Sequence, residues 1–215
     1  AAAMGLAMMS GVLLGVWAAV RRGRLIDRLV AVSAIGAIAV PSYVVGLGLV
    51  LVFAVFIGWL PALGAGEPGD WRDELLHLIL PSVALSIGWV GYLARLMRAS
   101  LLEVLSKPYI TVHRAFALPP RLVFFKYALE NAALPVLAVL GVGIGRMAGN
   151  AVLIEIIFAR PGIGKLLYDA MAVRDFPVVE GAVLVLVGFF LLATLATDLL
   201  QGVIDPRQMA YEENG

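Results

Sequence analysis

Long apolar stretches, separated by shorter charged segments, make up most of this chain. A helix needs ~20 apolar residues to cross the hydrocarbon core of a bilayer, because each residue advances the helix by only ~1.5 Å. Five stretches reach this length, and they predict spans at about residues 1–20, 29–59, 77–97, 131–158 and 178–201. Apolar and polar positions do not alternate strictly within them, which favours helices over the strands of a membrane barrel. The pattern predicts one all-α, polytopic transmembrane domain over residues 1–215.

The charges between the apolar stretches orient the predicted helices. Basic residues concentrate on the cytoplasmic side of spanning helices. Four arginines against Asp27 lie between the first and second stretches, and basic residues recur from Arg95 to Lys126, so both segments are predicted to be cytoplasmic. The acidic loop at residues 67–74 is predicted to lie outside, and alternation of the spans also places residues 159–177 there.

This orientation places Ala1 outside the membrane. Nothing before the first apolar run resembles an initiator or the charged start of a signal peptide. We therefore expect one further N-terminal span upstream of Ala1, with this chain supplying five spans of a longer bundle. The alternative is a five-span protein whose N-terminus is outside.

The composition supports a membrane protein and excludes several other classes. Apolar residues make up 62% and charged residues 14%, against about 25% charged in a typical soluble domain. The net charge of +1 argues against a nucleic-acid partner, which would require clustered basic residues. The absence of cysteine from the sequence excludes disulfides, zinc ribbons and thiol nucleophiles.

The sequence also lacks the residue patterns of common catalytic and metal sites. Gly162-Ile163-Gly164-Lys165 has no upstream glycine of a phosphate-binding loop, and Leu166 replaces the serine or threonine that would hold magnesium. The two histidines are predicted on opposite sides of the membrane, and no serine has the glycine-flanked elbow of a hydrolase. We therefore expect a protein that is not an enzyme, with no metal site and no cofactor bound by this chain.

The predicted cytoplasmic segment at residues 99–130 is unusually long, aromatic and basic. Residues 109–118 mix apolar and basic positions and end at Pro119-Pro120, where a helix cannot readily continue. Residues 122–129 place apolar side chains at helical spacing. Short amphipathic helices of this kind lie on lipid headgroups or enter a groove on a soluble partner. The residues alone leave both roles open.

The fourth stretch has two features of interest. Gly141, Gly145 and Gly149 recur every four residues, a spacing that lets helices approach closely, so they predict a packing face or a face that moves during gating. Arg146 lies near the middle of the span, where a charge is costly and usually faces protein or water. We expect it to contact an anionic substrate group, a partner subunit or an ion-pair partner within the bundle, although Asp198 lies too near the cytoplasmic end for the last role.

A fixed turn is predicted directly after this stretch. Glu155 and Phe158 precede Pro161, Gly162 and Gly164. One proline and two glycines in four positions favour a surface or re-entrant turn, here on the outer side.

The order and spacing of several short segments along the chain are informative when they are taken together. They are Arg21-Arg22-Gly23, Pro41-Ser42-Tyr43, Leu60-Pro61, residues 78–81, Tyr109 with Arg114, Ala115 and Leu118, Asn131 with Pro135, the E-x-x-F-x-x-P-G-x-G stretch from Glu155 to Gly164, residues 174–177 and Asp205-Pro206-Arg207. Together they resemble the permeases of bacterial ATP-driven, binding-protein-dependent (ABC) importers of the dipeptide, oligopeptide and nickel group. The resemblance covers almost the whole chain.

This resemblance implies a helix bundle of the type I ABC importer permease kind in the bacterial inner membrane. It implies that the chain lines half of a translocation path beside a second homologous permease. Two cytoplasmic ATPase subunits, which hold ATP and magnesium, would dock on its coupling loop, and an extracytoplasmic solute-binding protein would deliver the solute. The implied docking residues are Tyr109, His113, Arg114, Ala115, Phe116, Ala117 and Leu118, with Asn131 and Pro135 at the junction between loop and span.

The implied solutes are di- or oligopeptides, with nickel or another small solute as the alternative within the group. An ATP-independent channel or a membrane scaffold is the alternative outside it. The chain departs from the group at Ala117, which stands where a glycine is usual after the Arg-Ala pair. Alanine at a positive-φ turn costs on the order of 1 kcal/mol, so a reshaped turn or altered docking is expected. His113 and Phe116 also depart from the group, and Arg146 stands in place of a neutral residue.

Overall fold

The computed structural model describes residues 2–204, apart from the side chains of Arg114, Asp198, Leu200 and residues 201–204. The motif Asp205-Pro206-Arg207 and the acidic tail that follows it lie outside the described residues. Every regular element within 2–204 is helical, which confirms the all-α prediction. The elements are α1 (Ala2–Val20), α2 (Leu25–Ala39), α3 (Ser42–Leu49) continued by a π-helical segment (Val50–Phe56), α4 (Trp71–Leu105), α5 (Pro108–Ala115), α6 (Pro120–Leu122) continued by a second π-helical segment (Val123–Leu129), α7 (Glu130–Ala138), α8 (Leu140–Ile157), α9 (Ile163–Ala172) and α10 (Phe176–Ile204).

Four of the helices described within 2–204 are individually long and apolar enough to cross a membrane. They are α1, α4, α8 and α10, the last as far as Thr197, and the pair formed by α2 and α3 would make a fifth crossing. That pair differs from the single continuous helix that the apolar run at 29–59 suggests, because α2 and the helix after it meet at 100°. Pro41 has no N–H and disfavours helical geometry at the residue before it, and Val40 is accordingly extended, with φ −90° and ψ 123°.

The apolar run at 131–158 is also interrupted. Asn131 and Pro135, predicted to mark the junction of loop and span, lie in α7, which begins at Glu130, and the interruption of the apolar run falls at Val139. Val139 has φ −87° and ψ −6°, and it separates α7 from α8. The helical course resumes at once, since the Gly143 N–H donates to the Val139 carbonyl at 2.9 Å.

Helix α4 lies at the centre of the first half of the bundle. Successive glycines of α1 meet successive turns of α4, Gly11 near Leu93 and Gly15 near Met97, so these two helices run in the same direction. An ideal Cβ on Gly91 would lie 2.7 Å from the Ala34 carbonyl oxygen of α2, which crosses α4 in the opposite sense. Because lipid is as apolar as the helix surfaces, such close backbone contact supplies much of the attraction between spanning helices.

The second half of the bundle is built on α8. Helix α10 runs antiparallel to it, since Gly141 faces Thr197 and Gly145 faces the earlier residue Phe190. The far end of α8 is tied to the loop before α4, because Gly64 donates its N–H to the Phe158 carbonyl at 2.8 Å. Phe158 itself is 2% exposed and packs with Leu80. Each apolar helix therefore alternates in direction with the next, as a multi-pass bundle requires.

Candidate functional site

The basic residues of two separate segments meet at one end of the bundle. We call this end, formed by residues 21–28 and 95–130, the basic end. Asp27 of α2 is 5% exposed and forms an ion pair with Arg98 of α4. Arg98 donates from Nε at 2.5 Å and from Nη2 at 2.8 Å to the two carboxylate oxygens, and the Gly23 N–H donates to Asp27 Oδ2 at 2.9 Å. The carboxylate thus joins the first loop to the centre of the bundle.

Helix α5 lies at the basic end and is held by its inner face. Ile110 is fully buried in a cluster with Leu101 and Val104 of α4 and with Val123 and Ala128 of the second π-helical segment. Because Ile110 packs in this cluster, a displacement of α5 must also move α4 or the segment before α7.

The His113 side chain adds a second attachment for α5. Its ring lies over that of Tyr127, with centroids 4.1 Å apart, and its Nδ1 lies within hydrogen-bond distance of the Tyr109 carbonyl. Just before the helix, Lys107 donates to Glu103 at 2.8 Å. That hydrogen bond raises the pKa of Lys107 above its usual value, so the positive charge is retained.

The outer face of α5 is open and apolar. Tyr109, Val112 and Phe116 follow one another at helical spacing, and Phe116 is 76% exposed. Ala115 is exposed as well, while the Arg114 side chain is among those not described. The aromatic residues predicted from sequence thus lie partly on the face that packs against the bundle and partly on the exposed face.

The chain leaves α5 through a left-handed turn at Ala117, which is not the reshaped turn expected from the replacement of the usual glycine. Ala117 has φ 55°, a conformation that L-residues other than glycine rarely adopt. The Phe116 N–H donates to the Val112 carbonyl at 3.0 Å, and the Leu118 N–H donates to that of His113 at 3.3 Å. The turn is therefore kept with alanine in place of glycine. The consequence of the substitution is backbone strain, not a different local fold.

The predicted outer turn is organised by the Glu155 carboxylate. The Lys165 N–H at the start of α9 donates to Glu155 Oε2 at 3.1 Å, so a side chain from α8 caps α9. An ideal Cβ on Gly162 would overlap that carboxylate, and one on Gly164 would lie 2.6 Å from Val152 Cα. Four of the five residues predicted there, Glu155, Phe158, Gly162 and Gly164, thus make close contacts that hold the turn. The sequence spacing did not reveal that Glu155 caps α9.

The three regularly spaced glycines of α8 do not share one environment. An ideal Cβ on Gly141 would lie 2.9 Å from Thr197 Cβ, and one on Gly145 would overlap the Phe190 ring. By contrast, nothing described lies within 4 Å of such an atom on Gly149. The first two glycines serve the contact with α10, and the third faces away from it.

Arg146 lies on the wall of a concavity that has a volume of about 550 Å³. Its side chain is exposed. The concavity lies where the two interruptions of the apolar helices meet. It is lined by Ile38, Val40, Pro41, Ser42, Tyr43, Leu85, Gly88, Trp89, Tyr92, Ala138, Val139, Val142, Arg146, Asn150 and Leu153.

The fold matches that of a known importer. A solved structure of the MetNI methionine ABC transporter in inward-facing form superposes with a TM-score of 0.71, at 18% sequence identity, covering 95% of this chain and 92% of the matched chain. The fold is therefore that of a type I ABC importer permease. Residues 11–209 match the family model described as the binding-protein-dependent transport system inner membrane component. The chain belongs to this family, which makes it a multi-pass protein of the bacterial inner membrane.

Curated relatives share substantial identity with the chain. A probable peptide ABC transporter permease of Sinorhizobium fredii is 41% identical over 199 residues, covering 92% of this chain and 63% of the relative. The di/tripeptide transport system permease DppB of Pseudomonas aeruginosa is 37% identical, covering 96% and 68% respectively. The glutathione transport system permease GsiC of Escherichia coli K12 is 36% identical, covering 93% and 63%. The chain thus spans about two thirds of the length of these relatives.

Proposed function

We propose that this chain is the transmembrane permease subunit of an ATP-driven importer of di- or oligopeptides that depends on a solute-binding protein. It lines half of the translocation path beside a second homologous permease. Two cytoplasmic ATPase subunits energise it, and ATP and magnesium reside on those subunits, since this chain hydrolyses no nucleotide. The names of the peptide and di/tripeptide relatives support the choice of solute.

The observation that carries this proposal is the construction of α5. One face is anchored in the core by Ile110, and the other presents Phe116 and Val112 at the basic end. A partner that grips the outer face can therefore transmit a push to α4 and to the segment before α7. The ATPases must contact α5 differently in their open and closed states, because a partner with equal affinity for both states shifts neither.

The experiment compares two exposed positions at opposite ends of the bundle. Phe116 and Val173 are both 76% exposed. We expect Phe116→Asp to abolish stimulation of ATP hydrolysis by loaded binding protein, because a carboxylate would be desolvated at the docking surface. Phe116→Asp should also weaken the co-purification of the ATPases, whereas Val173→Asp should leave it intact. The double variant Arg114→Glu with Ala115→Trp should fold and hydrolyse ATP, but it should not transport solute.

Clear outcomes count against the proposal. Unimpaired uptake by Phe116→Asp and by the double variant would show that α5 is not the docking site. Uptake that persists without ATP would identify a channel instead, and purification from native membranes without any ATPase would favour a scaffold.

A further inference from the structure

One charge on a membrane-spanning helix has no ion-pair partner among the described side chains. Arg146 lies on α8, a helix long and apolar enough to span the membrane. The ion pairs formed by the side chains described within 2–204 all lie elsewhere. A guanidinium at such depth is costly and faces either a charged group or a water-filled space.

The surroundings of Arg146 indicate a solvated passage rather than lipid. Two stretches of interrupted helix line the same concavity, one at Val40 and Pro41 and the other at Val139. Irregular backbone at membrane depth is tolerated only where it is buried in protein or lines a water-filled cavity. Because this concavity is open, its wall is a place where solute and water can reach the helix breaks.

The groups around the guanidinium define what the concavity would hold. Asn150 lies one turn further along α8 and lines the same wall, so its amide can bind the same ligand group. Trp89 and Tyr92 stand edge to face, with ring centroids 5.5 Å apart, on the α4 side. A planar guanidinium matches the two oxygens of a carboxylate, and the aromatic rings suit an apolar body. A volume of about 550 Å³ lies within the range of small-molecule sites.

We propose that Arg146 binds the carboxylate of the transported solute within the translocation path, with Asn150 as its neighbouring hydrogen-bonding group. This inference rests on the proposed function and narrows it, since it selects solutes that carry a free carboxylate. No other described residue supplies a positive charge to the lining of this concavity.

The test uses the assembled transporter, with its companion subunits and binding protein, in proteoliposomes. The probes are alanyl-alanine and its C-terminal amide, each presented on binding protein loaded to the same occupancy. Wild type should transport the free acid at least about tenfold faster than the amide, since a lost charge-assisted hydrogen bond is worth about that factor. In Arg146→Gln, uptake of the acid should fall by about tenfold while uptake of the amide stays within about twofold. Arg146→Lys should retain part of the preference.

Arg21→Gln is the matched control, because Arg21 is an exposed arginine that follows α1, and α1 supplies no residue to the lining of this concavity. It should leave the ratio of acid to amide uptake unchanged. An unchanged ratio in Arg146→Gln would overturn the inference and leave the proposed function standing. Equal loss of both probes, with weaker co-purification of the second permease, would also overturn it, by showing that Arg146 pairs with that subunit. If wild type shows no ATP-dependent uptake of either probe, the proposed function fails and the inference fails with it.

Discussion

Asp27 and Arg98, 71 positions apart in sequence, form a two-pronged ion pair that joins α2 to α4. The Asp27 side chain is 7% exposed, whereas the Arg98 side chain is 31% exposed. The Gly23 N–H donates to the same carboxylate. One aspartate thus positions the loop after α1, the start of α2 and the end of α4 from which α5 follows.

Loss of this ion pair should destabilise the protein. Asp27→Ala leaves the guanidinium and the Gly23 N–H without their acceptor, so we expect a loss of about 1–3 kcal/mol. Thermal unfolding of the purified complex in detergent should show it as a decrease in Tm of about 2–4 °C per kcal/mol. Glu103→Ala is the control, since that ion pair with Lys107 is exposed and its loss should therefore lower Tm much less. Equal changes in Tm for the two variants would contradict the assignment.

The turn after α5 predicts a stabilising substitution. Ala117 has φ 55°, and relief of the left-handed strain by Ala117→Gly should stabilise the chain by about 1 kcal/mol. The same substitution at the exposed Ala99 inside α4 should instead destabilise by about 0.5–1 kcal/mol through lost helix propensity. Parallel Tm measurements check the opposite signs. A decrease in Tm for Ala117→Gly would show that the turn is not strained.

The glycines of α8 should respond unequally to an added methyl group. Gly145→Ala must displace the Phe190 ring, and such overpacking costs about 1–3 kcal/mol. Gly149→Ala meets nothing described within 4 Å, so it should be neutral or stabilise by up to about 1 kcal/mol through helix propensity. Expression level and Tm in detergent distinguish the two variants. Destabilisation by Gly149→Ala only in the assembled transporter would place Gly149 at a subunit interface.

The capping of α9 by Glu155 can be tested with a double-mutant cycle. Glu155→Ala removes the acceptor of the Lys165 N–H and should cost about 1 kcal/mol. Gly162→Ala must push the same carboxylate aside, so it should cost at least as much. The two effects should be less than additive, because both remove one interaction. Gly181→Ala, with open space around it, is the control, and strict additivity would show that Gly162 acts independently of Glu155.

Some of these relationships were accessible from the sequence and others were not. The resemblance to the permease group pointed to a glycine-type turn at Ala117, but it led us to expect a reshaped turn or altered docking, whereas Ala117 adopts the positive φ itself. The burial of Ile110 and the exposure of Phe116 could not be predicted, since an amphipathic helix at a membrane surface presents the same pattern whether it meets lipid or protein. Likewise, the identical spacing of Gly141, Gly145 and Gly149 concealed that only the first two meet α10.

The sequence by itself determined that the chain is a bundle of membrane-spanning helices, because bilayer thickness and backbone hydrogen bonding demand long apolar segments that any reader can locate. It also predicted a helical segment at 109–118 before Pro119-Pro120, although the helix found there, α5, already ends at Ala115. Only the tertiary structure decided which arginine is neutralised and which is left open: Arg98 meets Asp27, whereas Arg146 faces a concavity between helix breaks. An ion pair requires an oppositely charged group from another helix within a few ångströms. The spacing of residues along the chain does not give that distance.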